Sequence, residues 1–165
     1  MSIQQLNEGD FVSLVGEELS IFEQMLTLAR QKFDALTHGK VGHLSGIVEN
    51  EEKLIRHLSG LEARRAVFLA GALPLLSLKE GTLTALARKF SPEHHAKLME
   101  MKDRWQQILF ELHELHMKNH CLLESAMKLL EVRLKAFRMT VQDFRYSRRG
   151  ERLLLQGSLL LNRRA

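Results

Sequence analysis

Proline, cysteine and aromatic residues are scarce in this chain. Its 165 residues include two prolines, one cysteine and 6% aromatics, and each shortage excludes something. The single thiol, Cys121, closes no disulfide within the chain, which fits a reducing compartment. No run of about 18 uncharged apolar residues occurs, so no segment reads as a membrane span. The N-terminus, MSIQQLNEGD, has neither the basic nor the apolar region of a signal peptide, and the expected location is cytoplasmic. Also missing are GxxxxGK[ST], a GxGxxG behind a strand, GxSxG and CxxC. Without a phosphate loop, a nucleophile elbow or a thiol pair, the chain reads as a non-enzyme that carries no cofactor.

What is there is helix-forming: Leu, Ala, Glu, Lys, Arg and Met dominate. The fold class expected is all-α, an elongated antiparallel bundle or coiled coil. It comprises three long helices, a short crossover helix and a C-terminal amphipathic tail. Asp10 is a good N-cap for the first helix, over 11–37, whose apolar row is Val15, Leu19, Phe22, Leu26, Ala29, Phe33 and Leu36. The second, over 43–70, carries Leu44, Ile47, Leu54, Leu58, Leu61 and Phe68, interrupted in phase by Glu51 and Arg65. Pro74 is expected to end it. A crossover helix over 82–90 leads to Ser91-Pro92-Glu93, where Ser caps and Pro takes the first helical position of a helix over 92–146. Gly150 reads as a stop. These boundaries divide the chain into a bundle domain, 1–150, and a partner-binding tail, 151–165.

The last long helix organises the rest. From Glu93 to Arg149 there is no Gly and no Pro, and at 1.5 Å per residue the run extends roughly 80 Å, against about 40 Å for each hairpin helix. Its apolar row is Leu98, Met101, Trp105, Ile108, Leu112 and Leu115, then Leu122, Ala126 and Leu129. There the phase slips by one residue and continues as Leu130, Leu134, Phe137, Val141 and Phe144, a stutter that marks a change of partner surface. Asn119 occupies a core position, where a polar residue sets register at some cost in stability. Trp105 and the methionines read as packing.

His113, His116 and His120 share one helix face with Glu124, a spacing compatible with a metal. The Glu that a zincin places after its first His is missing, and the better reading is a solvated shoulder flanking Leu112 and Leu115, with no metal bound. Cys121 reads as a partly covered thiol, His94-His95 as incidental, and the pairs Glu17-Glu18 and Glu51-Glu52 as solvated faces.

Charge is concentrated at the end. Of the net +4, the residues from Arg133 onward hold nine basic side chains against Asp143 and Glu151, about +7, leaving about −3 before them. In the tail, Leu153, Leu154 and Leu155 and then Leu159, Leu160 and Leu161 flank Gln156-Gly157-Ser158. Burying six leucines at about 1.5–3 kcal/mol each yields roughly 10 kcal/mol or more. Ordering the segment takes back about 2–5 kcal/mol, which leaves enough for a micromolar or tighter complex. The preferred reading is therefore a partner-binding surface made of Phe137, Val141, Phe144, Tyr146 and the two Leu triplets. Two alternatives stay open: a nucleic-acid or anionic-surface binder worked by the arginines, and a structural coiled-coil homodimer. Only Phe144 and Tyr146 are available to stack on bases, so nucleic acid is not the expected partner. Gly157 weakens an interfacial helix, so stable membrane insertion is not expected either.

Four stretches resemble the FlgN family, the chaperones of flagellar type III export. They are LARQKFDALTHGK, ENEEKLIRHLSGLEARR, LHELHMKNHCLL and YSRRG, which span nearly the whole chain in the family's order. The family tends to show two Asn three apart before paired leucines. Here the first is His116 and the second is Asn119, and the tail is more basic than export chaperones often are. The resemblance implies a cytosolic chaperone that holds the hook-filament junction proteins FlgK and FlgL and delivers them to the export apparatus. It also implies that the C-terminal region engages an amphipathic helix at the substrate's C-terminus.

Overall fold

The computed structural model describes the backbone of residues 7–161 and the side chains of residues 7–138. Among the described residues every regular element is helical: α1 (Glu8–Thr37), a 3-10 turn (Val41–His43), α2 (Leu44–Leu76), α3 (Leu83–Ala87) and α4 (Pro92–Leu161). The chain divides into two compact units, Met1–His120 and Cys121–Ala165, and the boundary expected after Gly150 lies inside the second.

The helix ends follow local chemistry, with four departures from expectation. α1 is capped by Asn7, whose Oδ1 accepts from the Asp10 N–H at 3.3 Å. Asp10, expected as the cap, instead stands in the first turn beside Glu8, where carboxylates meet the positive end of the helix dipole. At its far end Gly39 takes φ 67°, and the Lys40 N–H reaches back to the Ala35 carbonyl at 2.8 Å. That closure needs a left-handed residue, which glycine supplies without strain.

α2 runs through Pro74 and ends at Leu76, six residues beyond the expected end at 70. Proline removes one hydrogen bond near a helix end, but Ala72 and Leu76 are buried in the core, and their packing holds the last turn. The helix closes on Ser77 at φ 52°, with the Leu78 N–H bonded to the Leu73 carbonyl at 3.1 Å. α4 likewise passes the expected stop at Gly150 and continues to Leu161. An interior glycine costs about 1 kcal/mol relative to alanine, too little by itself to end a helix.

The first unit is built around α1, which buries two faces. Toward α4, Leu26 and Ala29 pack on Ile108 and Leu112, with Leu19, Phe22 and Leu115 beside them. Phe22 and Trp105 meet at 5.4 Å between ring centroids. Toward α2, Leu14 and Ile21 pack on Leu61, Leu54 and Leu58. A third cluster closes the end where α1 begins. Phe11, Val12 and Val15 meet Ala72 and Leu76 of α2, Leu86 and Ala87 of α3, then Phe90 and Leu98. Phe11 stacks on Phe68 at 4.7 Å and meets Phe90 edge-on at 5.8 Å. α3 is shorter than expected and is set by Thr82, whose hydroxyl accepts from the Ala85 N–H at 3.2 Å.

Polar contacts fix how these helices register. Between α1 and α2, Glu17 pairs with Arg64 at 3.3 Å, Glu18 with Arg65 at 3.2 Å, and Lys32 with Glu51. Residue numbers rise on α1 as they fall on α2, so the pair is antiparallel. Between α1 and α4, Glu23 meets Arg104 at 3.1 Å and Arg30 meets Glu111 at 2.5 Å, so these two run parallel. Asn119 is buried and donates through Nδ2 to the Ala29 carbonyl at 3.0 Å.

Glu18 is fully buried, contrary to the expectation of a solvated face. The Arg65 guanidinium approaches Oε2 off the line that a hydrogen bond needs, and neither carboxylate oxygen accepts one from the described protein groups. Burial pushes the Glu18 carboxyl above its ordinary value. Arg65 opposes the shift and the nearby Glu62 adds to it.

Glu8 behaves in the opposite way. Its Oε2 accepts from the Ser91 N–H at 3.0 Å and the Ser91 hydroxyl at 2.9 Å, and lies 2.8 Å from His94 Nδ1. Burial alone raises the Glu8 carboxyl and is the largest single influence. The Ser91 N–H, the His94 ring, the Ser91 hydroxyl and the His94 charge together outweigh it, leaving the carboxyl below its ordinary value. Thus the first turn of α1 is latched to the start of α4. His95 ties the same corner to α3 through Nδ1 and the Ala87 carbonyl, at 2.9 Å. Neither histidine is incidental.

Three outcomes follow. Ser77→Gly relieves a left-handed non-glycine residue, and thermal melting is expected to show a gain of about 1 kcal/mol. Glu18→Gln is expected to melt at or above the parent at neutral pH, with the gap closing as the pH falls. A carboxyl whose folded pKa is raised favours the fold when protonated, a benefit complete below the unfolded pKa and lost as pH rises through the folded one. A clear loss at neutral pH would mean that the Arg65 pair outweighs the desolvation of Glu18. Glu8→Gln has the reverse sign: it is expected to melt below the parent at neutral pH, with the difference vanishing as pH falls through the lowered pKa of Glu8.

Candidate docking face

The corner of Glu8, Ser91 and His94 brings a serine, a histidine and a carboxylate together. Ser91 Oγ and Glu8 Oε2 both approach the same ring nitrogen, Nδ1, at 3.0 and 2.8 Å. A nucleophilic triad needs the serine and the acid on opposite ring nitrogens. Here the Ser91 hydroxyl gives its proton to Glu8, so no base stands ready to activate it. The arrangement fastens a helix end.

The three expected shoulder histidines are all exposed. His113, His116 and His120 lie on one row of α4 with Leu109, at steps of four, three and four. Among the described residues no three His, Cys, Asp or Glu side chains are grouped so as to hold a metal ion. Cys121 is exposed rather than partly covered.

The second unit presents a different surface. The core row of α4 is buried or half-buried through Leu98, Ile108, Leu112, Leu115, Asn119 and Leu122, and every described side chain from Leu123 to Arg138 is exposed. Within that stretch Leu123, Met127, Leu130, Leu134 and Phe137 recur at steps of four, three, four and three, one face of the helix. Met127 is 64% exposed, Leu130 62% and Phe137 68%. An apolar row of this regularity left in water marks a surface meant to be covered.

Of the residues that sequence reasoning assigned to partner binding, Phe137 falls on this row. The side chains of Val141, Phe144, Tyr146, Leu153, Leu154, Leu155, Leu159, Leu160 and Leu161 lie outside the described residues. Sequence reasoning missed Leu123 and Met127, because it started the second row only after the slip at Leu129. Counting the same spacing backward from Leu130 finds both. The two rows therefore overlap instead of meeting at a single point. Leu129, assigned to the first row, is itself 53% exposed.

Charge along this stretch is uneven. Glu124, Lys128 and Glu131 alternate in sign beside its first half, whereas Arg133, Lys135 and Arg138 are all basic beside Leu134 and Phe137. No helix among the described residues is long and apolar enough to cross a membrane.

Comparison with known proteins gives one family and one relative. The family model described as FlgN protein matches residues 1–153. The uncharacterized protein YvyG of Bacillus subtilis (strain 168) is 25% identical over 128 residues, which cover 78% of this chain and 79% of YvyG. No solved structure gives a significant match.

Proposed function

Because the chain belongs to the FlgN family, whose members are flagellar export chaperones and not enzymes, we propose that it holds hook-associated proteins in the cytoplasm until export. Its clients on this reading are the hook-filament junction proteins FlgK and FlgL, gripped through their C-terminal amphipathic helices and delivered to the export apparatus. The family match over residues 1–153 carries the proposal. The exposed row of Leu123, Met127, Leu130, Leu134 and Phe137 supports it, because a client helix docks its own apolar face against such a surface. Val141, Phe144, Tyr146 and the two Leu triplets continue the apolar surface in the sequence and are assigned to the same contact.

Chemistry supports the division of labour. The first unit buries most of its regularly spaced apolar residues in its own three clusters, whereas the row from Leu123 to Phe137 has no such packing. Covering five large apolar side chains at about 1.5–3 kcal/mol each suffices for a micromolar complex once ordering is subtracted.

Two double variants test this. Leu130→Asp with Leu134→Asp, and separately Leu154→Asp with Leu160→Asp, are expected to abolish co-purification of FlgK and FlgL while leaving circular dichroism and the melting temperature unchanged. Undiminished co-purification in both would place the contact elsewhere. Collapse of the fold would show these leucines to be core.

A further inference from the structure

We propose that the exposed row of the second unit selects an amphipathic helix carrying carboxylates beside its apolar stripe, with Arg133, Lys135 and Arg138 reading those carboxylates. This rests on the docking reading above and adds what distinguishes one helix from another.

The row itself discriminates poorly. Leucine and methionine accept many apolar shapes, and methionine adapts to what it meets. Discrimination falls to the side chains that border the row, as it does along the edges of paired helices. Taking Leu123, Leu130 and Phe137 as one set of seam positions and Met127 and Leu134 as the other, Glu124, Glu131 and Arg138 each follow a seam residue directly. Arg133 directly precedes Leu134. Lys128 and Lys135 stand one position beyond Met127 and Leu134. All six are exposed. The first half of the row is thus bordered by both signs, and the second half by cations alone. The sequence extends that bias, with Arg145, Arg148, Arg149 and Arg152 against Asp143 and Glu151. A helix laid on the second half is welcomed if its borders are acidic and repelled if they are basic.

Other occupants fit less well. A second copy paired in parallel sets Arg133 against Arg138 of that copy, like against like. Phosphate polymers would satisfy the arginines and leave Leu130, Leu134 and Phe137 in water. An anionic bilayer would cover the leucines but press Glu124 and Glu131 against its headgroups.

The test uses the full chain and two synthetic helical peptides with the same leucine seam, one bordered by glutamates and the other by lysines, followed by fluorescence anisotropy. The glutamate peptide is expected to bind about tenfold more tightly or better at about 50 mM salt, with the preference shrinking at about 500 mM as screening shortens the reach of the charges. Arg133→Glu with Arg138→Glu is expected to reverse the preference, and Leu130→Asp with Leu134→Asp to remove binding of both peptides. Equal binding of the two peptides overturns the inference, as does a preference unmoved by the arginine changes. A concentration-dependent dimer in sedimentation that shuts out both peptides also overturns it, as does retention on anionic vesicles that the leucine changes do not weaken. If the peptides are not told apart while FlgK and FlgL still depend on Leu130 and Leu134, this inference alone fails. If FlgK and FlgL ignore those leucines, the docking reading fails first.

Discussion

Burial of α1 on two faces at once is the constraint from which the first unit follows. A helix that buries one face needs a single neighbour, whereas α1 must have two. α2 covers Leu14 and Ile21, and α4 covers Leu26 and Ala29. α2 returns antiparallel by a short turn. Its end therefore lies beside the start of α1, and a second neighbour running parallel to α1 needs only a connection that crosses that end, which the segment after Leu76 supplies. That segment therefore becomes part of the core, with Leu86, Ala87 and Phe90 packed against Phe11 and Val15. The Glu8 latch to Ser91 and His94 sits at this corner, where the chain turns into α4.

Charged residues at the helix seams make sense in the same frame. Glu51 and Arg65 look like defects in the apolar row of α2. Each instead meets an opposite charge on α1, Lys32 and Glu18 respectively. Sliding the hairpin by one turn would separate both pairs, and Glu18 would be left buried without a counter-charge, at a cost of several kcal/mol. Such pairs add little to stability but penalise the wrong register. Asn119 acts similarly on the other side of α1, since only one axial position brings its amide to the Ala29 carbonyl.

The docking surface is the remainder of this arrangement. α4 carries two apolar rows that overlap between Leu122 and Leu130. The first packs against α1 through Ile108, Leu112 and Leu115, and the second stays exposed over the described residues. For a chaperone, the separation is useful. On the proposed reading, the residues that hold the fold and those offered to a client differ, so client release would expose no core. On the inference drawn above, the basic border of the second half would give that surface a preference that leucines alone do not supply.

The sequence by itself determined the helical class, the hairpin and the start of α4. Those depend on the spacing of apolar residues, on Gly39 closing a helix and on Ser91-Pro92 opening one, all local signals. It also carried the family resemblance in the order of four motifs. The end of α2 was misread at Pro74, since a proline's local penalty is legible while the buried packing of Ala72 and Leu76 that overrides it is not. Glu18, Glu51 and Arg65 could not be read as partners, because their separation along the chain hides that they share one seam. The second row of α1 was invisible for the same reason: one stripe predicts one neighbour, and only tertiary structure shows that Leu14 and Ile21 face another. Phe137 lies on the exposed row, whereas Leu123 and Met127 fall in neither of the two rows read from the sequence. Spacing shows which residues share a face, but only the tertiary structure shows which of them are covered.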